Sequence, residues 1–93
     1  MSDSLLAYTI TVHGVVQGVG FRYYTKQKAI ELSLLGSVEN QSDGSVYIQV
    51  EGPSEPLMSF VTWCHQGPAT ARVEKLEYSP CPPQSFSSFE ILR

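Results

Sequence analysis

The stretch Gly14-Val15-Val16-Gln17-Gly18-Val19-Gly20, followed at once by Phe21 and Arg22, has the residue types of an oxyanion cradle. Glycines let successive backbone N–H groups turn into one concavity. If a helix starts just after the loop, its first N–H groups lack intrahelical partners and its dipole favours negative charge there. Arg22 can fork two N–H donors onto a phosphate or a carboxylate. A cation at a helix start opposes the dipole unless an anion sits with it. The surroundings agree: from Ser4 to Ile30 there is no acidic residue, while Arg22, Lys26 and Lys28 are basic. The loop lacks the Gly-Lys-Ser/Thr ending of a Walker A motif, and Tyr23 stands where a dinucleotide fingerprint needs its third glycine. A glycine-rich turn beside a solvated arginine would have the same sequence, so these residues alone leave an anion site and an ordinary turn both open.

A second chemical candidate is Asn40, just before Asp43-Gly44. Its amide both donates and accepts, so it could hold a water molecule, although asparagine is also ordinary turn chemistry. Other reactive residues are set aside. His13 reads as a strand-end surface histidine, and His65 as a helix-end cation favoured by the dipole. Cys64 lies on an apolar helical stripe, and Cys81 lies in a proline-rich loop too far away to make a Cys-x-x-Cys metal site. No metal-ligand cluster is visible, and no cofactor is expected. Tyr23 and Tyr24 could line a substrate mouth or pack on the helix face. Lys26 and Lys28 add diffuse positive potential.

The elements that must position these residues follow from periodicity. Leu6, Tyr8, Ile10 and Val12 alternate with Ala7, Thr9 and Thr11, which predicts a half-buried strand. A helix is expected from Phe21 to Leu32, with Phe21, Tyr24 or Thr25, Ala29 and Leu32 on one stripe. Leu34 to Gln41 reads as a second strand, Gln41-Ser42-Asp43-Gly44 as a hairpin turn, and Ser45 to Glu51 as a third strand. Ser54 is the expected N-cap of a second helix. In it Leu57, Phe60, Val61 and Cys64 recur at helical spacing until Gly67-Pro68. Ala71 to Tyr78 reads as a strand whose alternation slips between Val73 and Leu76, the mark of a bulge. Phe89 and Ile91 mark a short last strand. The order βαββαβ with a short terminal strand predicts an α+β, ferredoxin-like sandwich, two helices on one face of a mostly antiparallel sheet. In the βαβ crossover the strand carrying Asn40 runs parallel to the first strand, which puts Asn40 on the same edge as the glycine loop.

The chain has 93 residues, 42% of them apolar and 16% charged, and this predicts one globular domain over residues 1–93. Six Lys and Arg stand against nine Asp and Glu, for a net charge of −3. An acidic balance disfavours nucleic acid as a partner. No apolar run approaches the ~20 residues of a membrane span. The N-terminal residues lack a basic signal-peptide region, so a cytoplasmic protein without a membrane partner is expected.

At these same residues the sequence resembles the acylphosphatase family. Residues Gly14 through Arg22 match its signature G-x-V-Q-G-V-x-F-R, and Gly36-Ser37-Val38-Glu39-Asn40-Gln41-Ser42-Asp43-Gly44-Ser45-Val46, with Gly52, matches a second. Gly67-Pro68, Ala71-Arg72-Val73 and Phe89-Glu90-Ile91 extend the resemblance over nearly the whole chain. It implies hydrolysis of the carboxyl–phosphate bond of acyl phosphates by a small stand-alone enzyme, expected to be monomeric. It implies that the loop amides of Val15, Val16, Gln17, Gly18, Val19 and Gly20 bind phosphate with Arg22, and that Asn40 orients water. Inorganic phosphate or sulfate would then be site ligands. Two residues depart from the pattern. Ser37 replaces a usual aromatic residue, with looser packing expected near Asn40, and Ser33 replaces a common helix-ending glycine. Two other readings compete with the enzyme. One is a module of the same fold that holds phosphate without turnover. The other is an RNA-recognition domain, for which only Tyr47 offers a stacking ring on the middle strands.

Overall fold

The computed structural model describes residues 5–92. The elements are β1 (Leu6–Val15), α1 (Phe21–Glu31), β2 (Leu35–Asn40), β3 (Val46–Gly52), α2 (Ser54–Gln66), β4 (Arg72–Pro80) and β5 (Phe89–Leu92). The strands form one sheet in the order β4-β1-β3-β2-β5. Three neighbouring pairs are antiparallel, and β2 with β5 is parallel. Because β1 and β2 both run opposite to the β3 between them, they point the same way. The end of β1 and the end of β2 therefore share one edge of the sheet.

Both helices cover the same face. Ile10 and Val12 of β1, Val38 of β2, and Val46, Ile48 and Val50 of β3 point into it and are buried. They meet Phe21 and Ala29 of α1 and Leu57, Phe60, Val61 and Cys64 of α2. Within the first-helix stripe it is Thr25 that is buried, whereas Tyr24 is exposed. Burial in apolar surroundings pushes the Cys64 thiol up from its usual range. No helix of the described residues is long and apolar enough to cross a membrane.

Three local features are settled by geometry. The alternation slip in β4 is a bulge: His13 pairs with Lys75 and Gly14 with Val73, leaving Glu74 as the extra residue. Gly14 is required there, since a Cβ would lie 2.1 Å from the Arg72 carbonyl oxygen. The α2 N-cap differs from expectation. Pro53 holds the cap position in extended backbone, and Ser54 is already helical with no side-chain cap bond. The proline ring fixes φ in front of the helix and its carbonyl receives the Leu57 N–H, so the helix begins one residue after Pro53. Ser37 also differs: it lies one residue from Val38 and three from Asn40 along β2, so it faces away from both, beside Gln49. Its departure from the family pattern is on the opposite face from Asn40.

The helix-free face is crossed by the segment between β4 and β5, tied at its start by the Cys81 N–H to the Ala7 carbonyl and further along by one carboxylate. Glu51 is 1% exposed. Its Oε1 accepts the Gln84 N–H at 2.8 Å and its Oε2 accepts the Phe86 N–H at 2.9 Å. The Gly36 N–H then donates to the Ser88 carbonyl, and β5 begins. Replacing Glu51 by Gln keeps the volume but sets an amide N–H₂ against a backbone N–H. Glu51→Gln is therefore expected to cost about 1–3 kcal/mol in urea denaturation, with amide exchange of residues 84–92 accelerated first.

The end of α1 has the hydrogen bonds of a Schellman motif. Leu34 N–H reaches the Ala29 carbonyl and Ser33 N–H the Ile30 carbonyl. This geometry sets Ser33 at φ 59, a left-handed conformation that costs a Cβ-bearing residue about 1 kcal/mol. Ser33→Gly should raise unfolding free energy by about that much, a gain of roughly 4–8 °C in midpoint for a domain this small.

Candidate active site

The loop between β1 and α1 is pinned at three points. Val16 is 1% exposed and packed in the core. The Gln17 side-chain Nε2 donates to the carbonyls of Gln41 at 2.8 Å and Ser45 at 2.9 Å, both in the β2–β3 hairpin. The Val19 carbonyl accepts the Thr70 hydroxyl at 2.6 Å. Between these anchors Gly18 and Gly20 take φ values of 75 and 79. Gly20 is the N-cap of α1, supplies no side-chain cap, and no acidic residue follows in the first turn. The first helical hydrogen bond runs from Tyr24 N–H to the Gly20 carbonyl. The N–H groups of Phe21, Arg22 and Tyr23 therefore lie ahead of the helical ladder, where an anion is the favoured partner.

Asn40 ends β2 on the helix-covered side, like Val38, and pairs with Val46. Its Oδ1 is buried and has no hydrogen-bond partner among the described residues. A buried amide oxygen left unpaired by the protein has its accepting capacity free toward the cleft. The turn beyond it is tight: Gly44 N–H donates to the Gln41 carbonyl, and only Gly44 takes positive φ. The Asp43 carboxylate accepts both the Ser45 hydroxyl and the Ser45 N–H, which hold it below the usual carboxylate range.

These pieces meet in one cleft of about 280 Å³. Val16, Gly18 and Gly20 come from the loop, Phe21, Arg22 and Tyr23 from α1, Asn40 from β2 and Ile91 from β5. Of the residues singled out by sequence, Arg22 and Asn40 are thus brought together with three of the six loop residues. Val15 belongs to β1, paired with Arg72, and Gln17 and Val19 point elsewhere as anchors. Arg22 joins no ion pair among the described residues. A wider groove lined by Tyr24 and Trp63 is the less chemical one, because its two charges, Lys28 and Glu31, pair with each other at 3.3 Å. His13 Nε2 donates to the Glu77 carboxylate at 3.1 Å, and that bond, with Lys75 nearby, holds the Glu77 carboxyl low. Ile91 and Thr70 escape sequence reasoning. Ile91 lines the cleft and Thr70 anchors the loop at the Val19 carbonyl, both through long-range packing and without a local signal.

The architecture is a ferredoxin-like α+β sandwich bearing an uncapped, glycine-shaped helix start, with a lone guanidinium and an unpaired asparagine oxygen beside it. The chain belongs to the acylphosphatase family, whose sequence profile matches residues 8–91. It is 51% identical over 73 residues to an acylphosphatase of Mannheimia succiniciproducens, covering 78% of this chain and 81% of that one. With an acylphosphatase of Aeromonas hydrophila subsp. hydrophila it shares 42% over 83 residues, 89% of this chain and 92% of the relative. The crystal structure of acylphosphatase from Bacillus subtilis superposes with a TM-score of 0.92 at 37% identity, covering 95% of this chain and 99% of that one.

The Gln17 bonds are the link between loop and hairpin. Gln17→Ala should weaken inorganic phosphate binding about tenfold by titration calorimetry, and cost about 1–2 kcal/mol of stability. Unchanged phosphate affinity would show that the loop holds its shape without that link.

Proposed function

We propose that this chain hydrolyses acyl phosphates to a carboxylate and inorganic phosphate, acting as a single-domain monomer in the cytoplasm. The observation that carries this reading is the convergence, in one cleft, of Arg22 and the N–H groups around Gly18 and Gly20 with the unpaired oxygen of Asn40. The first set suits the three equatorial oxygens of a phosphoryl group. The second suits a water molecule.

The cleft lining carries no Asp, Glu, His or Cys among the described residues. No carboxyl, imidazole or thiol is therefore on offer there as general acid to a leaving group. A carboxylate needs none, being weakly basic when it departs, whereas an alkoxide would. Phosphoryl transfer of this kind depends on positioning and on charge stabilisation in a loose transition state. Arg22 and the amides stabilise the phosphoryl oxygens as the bond to the carboxylate breaks. Asn40 Oδ1 accepts a hydrogen bond from the attacking water, which keeps its protons at that contact, and aims its lone pair in line with phosphorus. The water proton then passes to a phosphate oxygen, so the substrate serves as its own base. This path calls on no metal ion and no cofactor.

Acetyl phosphate should be turned over and p-nitrophenyl phosphate, a monoester, should not be at a comparable rate. Arg22→Ala and Asn40→Ala should each lower kcat for acetyl phosphate by at least ~10²-fold. Near-normal turnover by Arg22→Ala would overturn the mechanism. Phosphate binding without release of phosphate from acetyl phosphate would instead identify a binding module.

A further inference from the structure

The hydrolase reading needs loop amides that point into the cleft, and for Gly20 that direction rests on one peptide plane. The Val19 side chain packs on the core, while Gly20 lines the cleft. The peptide between them is trans, so its carbonyl and its N–H point opposite ways. The Val19 carbonyl accepts the Thr70 hydroxyl at 2.6 Å. Thr70 lines the outer groove with Tyr24, Trp63 and Pro68 and does not line the cleft. The carbonyl is thus held on the outer side of the loop, and the Gly20 N–H points away from it, to the side of the cleft. That N–H donates to no backbone carbonyl among the described residues. The helix does not fix this plane, because the Tyr24 N–H holds the Gly20 carbonyl, which belongs to the next peptide. A half turn of the plane would change φ of Gly20, now 79, and glycine accepts either sign. It would also set a carbonyl oxygen toward the anion, replacing attraction by repulsion. Thr70 itself is well held. Gly67 ends α2 with its N–H on the Trp63 carbonyl, and a Cβ on it would lie 2.7 Å from the Phe21 ring. Pro68 follows with its fixed φ, and the Ala71 N–H returns to the Pro68 carbonyl. The turn that carries Thr70 is therefore built against the residue that follows Gly20.

We infer that Thr70 is a positioning residue, whose hydroxyl sets the Val19–Gly20 peptide plane so that the Gly20 N–H faces the phosphoryl group. The inference rests on the proposed function for what the cleft holds. Thr70 touches no substrate atom. It acts on the fraction of molecules whose loop has the competent plane before the ligand arrives. Removing the hydroxyl lowers that fraction, and the apparent dissociation constant rises in proportion. A bound substrate has already selected the competent plane, so it reacts at the ordinary rate. The effect of Thr70 therefore falls on binding and spares the bond-breaking step.

The test measures inorganic phosphate binding by calorimetry, and kcat and KM for acetyl phosphate, in the unaltered chain, Thr70→Val and Thr70→Ser. Valine keeps the shape of threonine, and its methyl group denies water the place of the hydroxyl. Serine restores the donor. Thr70→Val should raise both the phosphate Kd and KM about fivefold, the size of one neutral hydrogen bond, and leave kcat within about twofold. Thr70→Ser should stay close to the unaltered chain in all three constants. Unchanged Kd and KM in Thr70→Val, equal losses in the two variants, or a loss confined to kcat would overturn the positioning role. If the unaltered chain still turns over acetyl phosphate, none of those results touches the hydrolase reading. If the unaltered chain binds phosphate and hydrolyses no acetyl phosphate, the hydrolase reading falls. In that case weaker phosphate binding in Thr70→Val, restored in Thr70→Ser, still supports the positioning role, and equal affinities overturn it. Failure of the unaltered chain to bind phosphate would overturn both.

Discussion

Gln17 spends both N–H bonds of its side-chain amide on the carbonyls of Gln41 and Ser45, and the geometry of the cleft depends on them. The sheet brings the ends of β1 and β2 to one edge because both run against β3. Strand pairing alone, however, leaves the loop after β1 free to sit at several angles to the turn after β2. The Gln17 amide removes that freedom. One accepting carbonyl belongs to the residue directly after Asn40, and the donor lies one residue from Gly18. Each neutral hydrogen bond contributes only about 1 kcal/mol net. Their effect on position is larger than their effect on stability, since a catalytic group displaced by ~1 Å can lose ~10²-fold in rate.

The electrostatics have a similar economy. The chain carries a net charge of −3, yet the stretch that builds the cradle contains no carboxylate. Arg22 stands in the first turn of α1, against the helix dipole, and no ion pair among the described residues relieves it. Two carboxylates of the described residues are held by their own partners. Asp43 is turned onto Ser45, and Glu77 onto His13 and Lys75. The cleft thus keeps one positive charge, Arg22, beside N–H groups that lie ahead of the helical ladder, an arrangement that favours an anion. Glu51 shows the same chemistry used for structure, its buried carboxylate gathering two backbone N–H groups.

Period-two and period-3.6 patterns made the strands, the helices and the β4 bulge legible in the sequence, because each is decided by neighbouring residues. Arg22, Asn40, Gly18 and Gly20 were legible as candidates, but their types also suit an ordinary turn, and it is the cleft they share that sets them apart. The rest depended on distant partners. Ile91 enters the cleft only because β5 adds in parallel to β2, a choice that nothing in Phe89–Leu92 announces. Glu51 sits where alternation puts an outward-facing residue, and its burial comes from a segment more than thirty residues later. Ser54 had the right type for an N-cap, but Pro53 already fixed the extended backbone that the cap position requires. The expected effect of Ser37 on Asn40 failed on parity, three residues along a strand being the wrong face.

The two glycines Gly14 and Gly18 separate two reasons for the same residue type. At Gly14 a Cβ would strike the backbone of β4, so the glycine serves the fold and lets the bulge form against it. At Gly18 a Cβ would meet no protein atom within 4 Å. Packing therefore does not demand glycine there. Its φ of 75 does, and so does the bare backbone surface that the missing side chain leaves in the cleft. A ligand with oxygens on three sides must approach peptide N–H groups to hydrogen-bond distance, and a methyl group on that surface would stand in its path. Ser33 makes the contrast. It takes an equally left-handed conformation at the far end of α1, where a side chain costs some stability and obstructs no ligand. Strain is thus tolerated at the helix end away from the cleft, while the loop that lines the cleft retains the residue with no side chain at all.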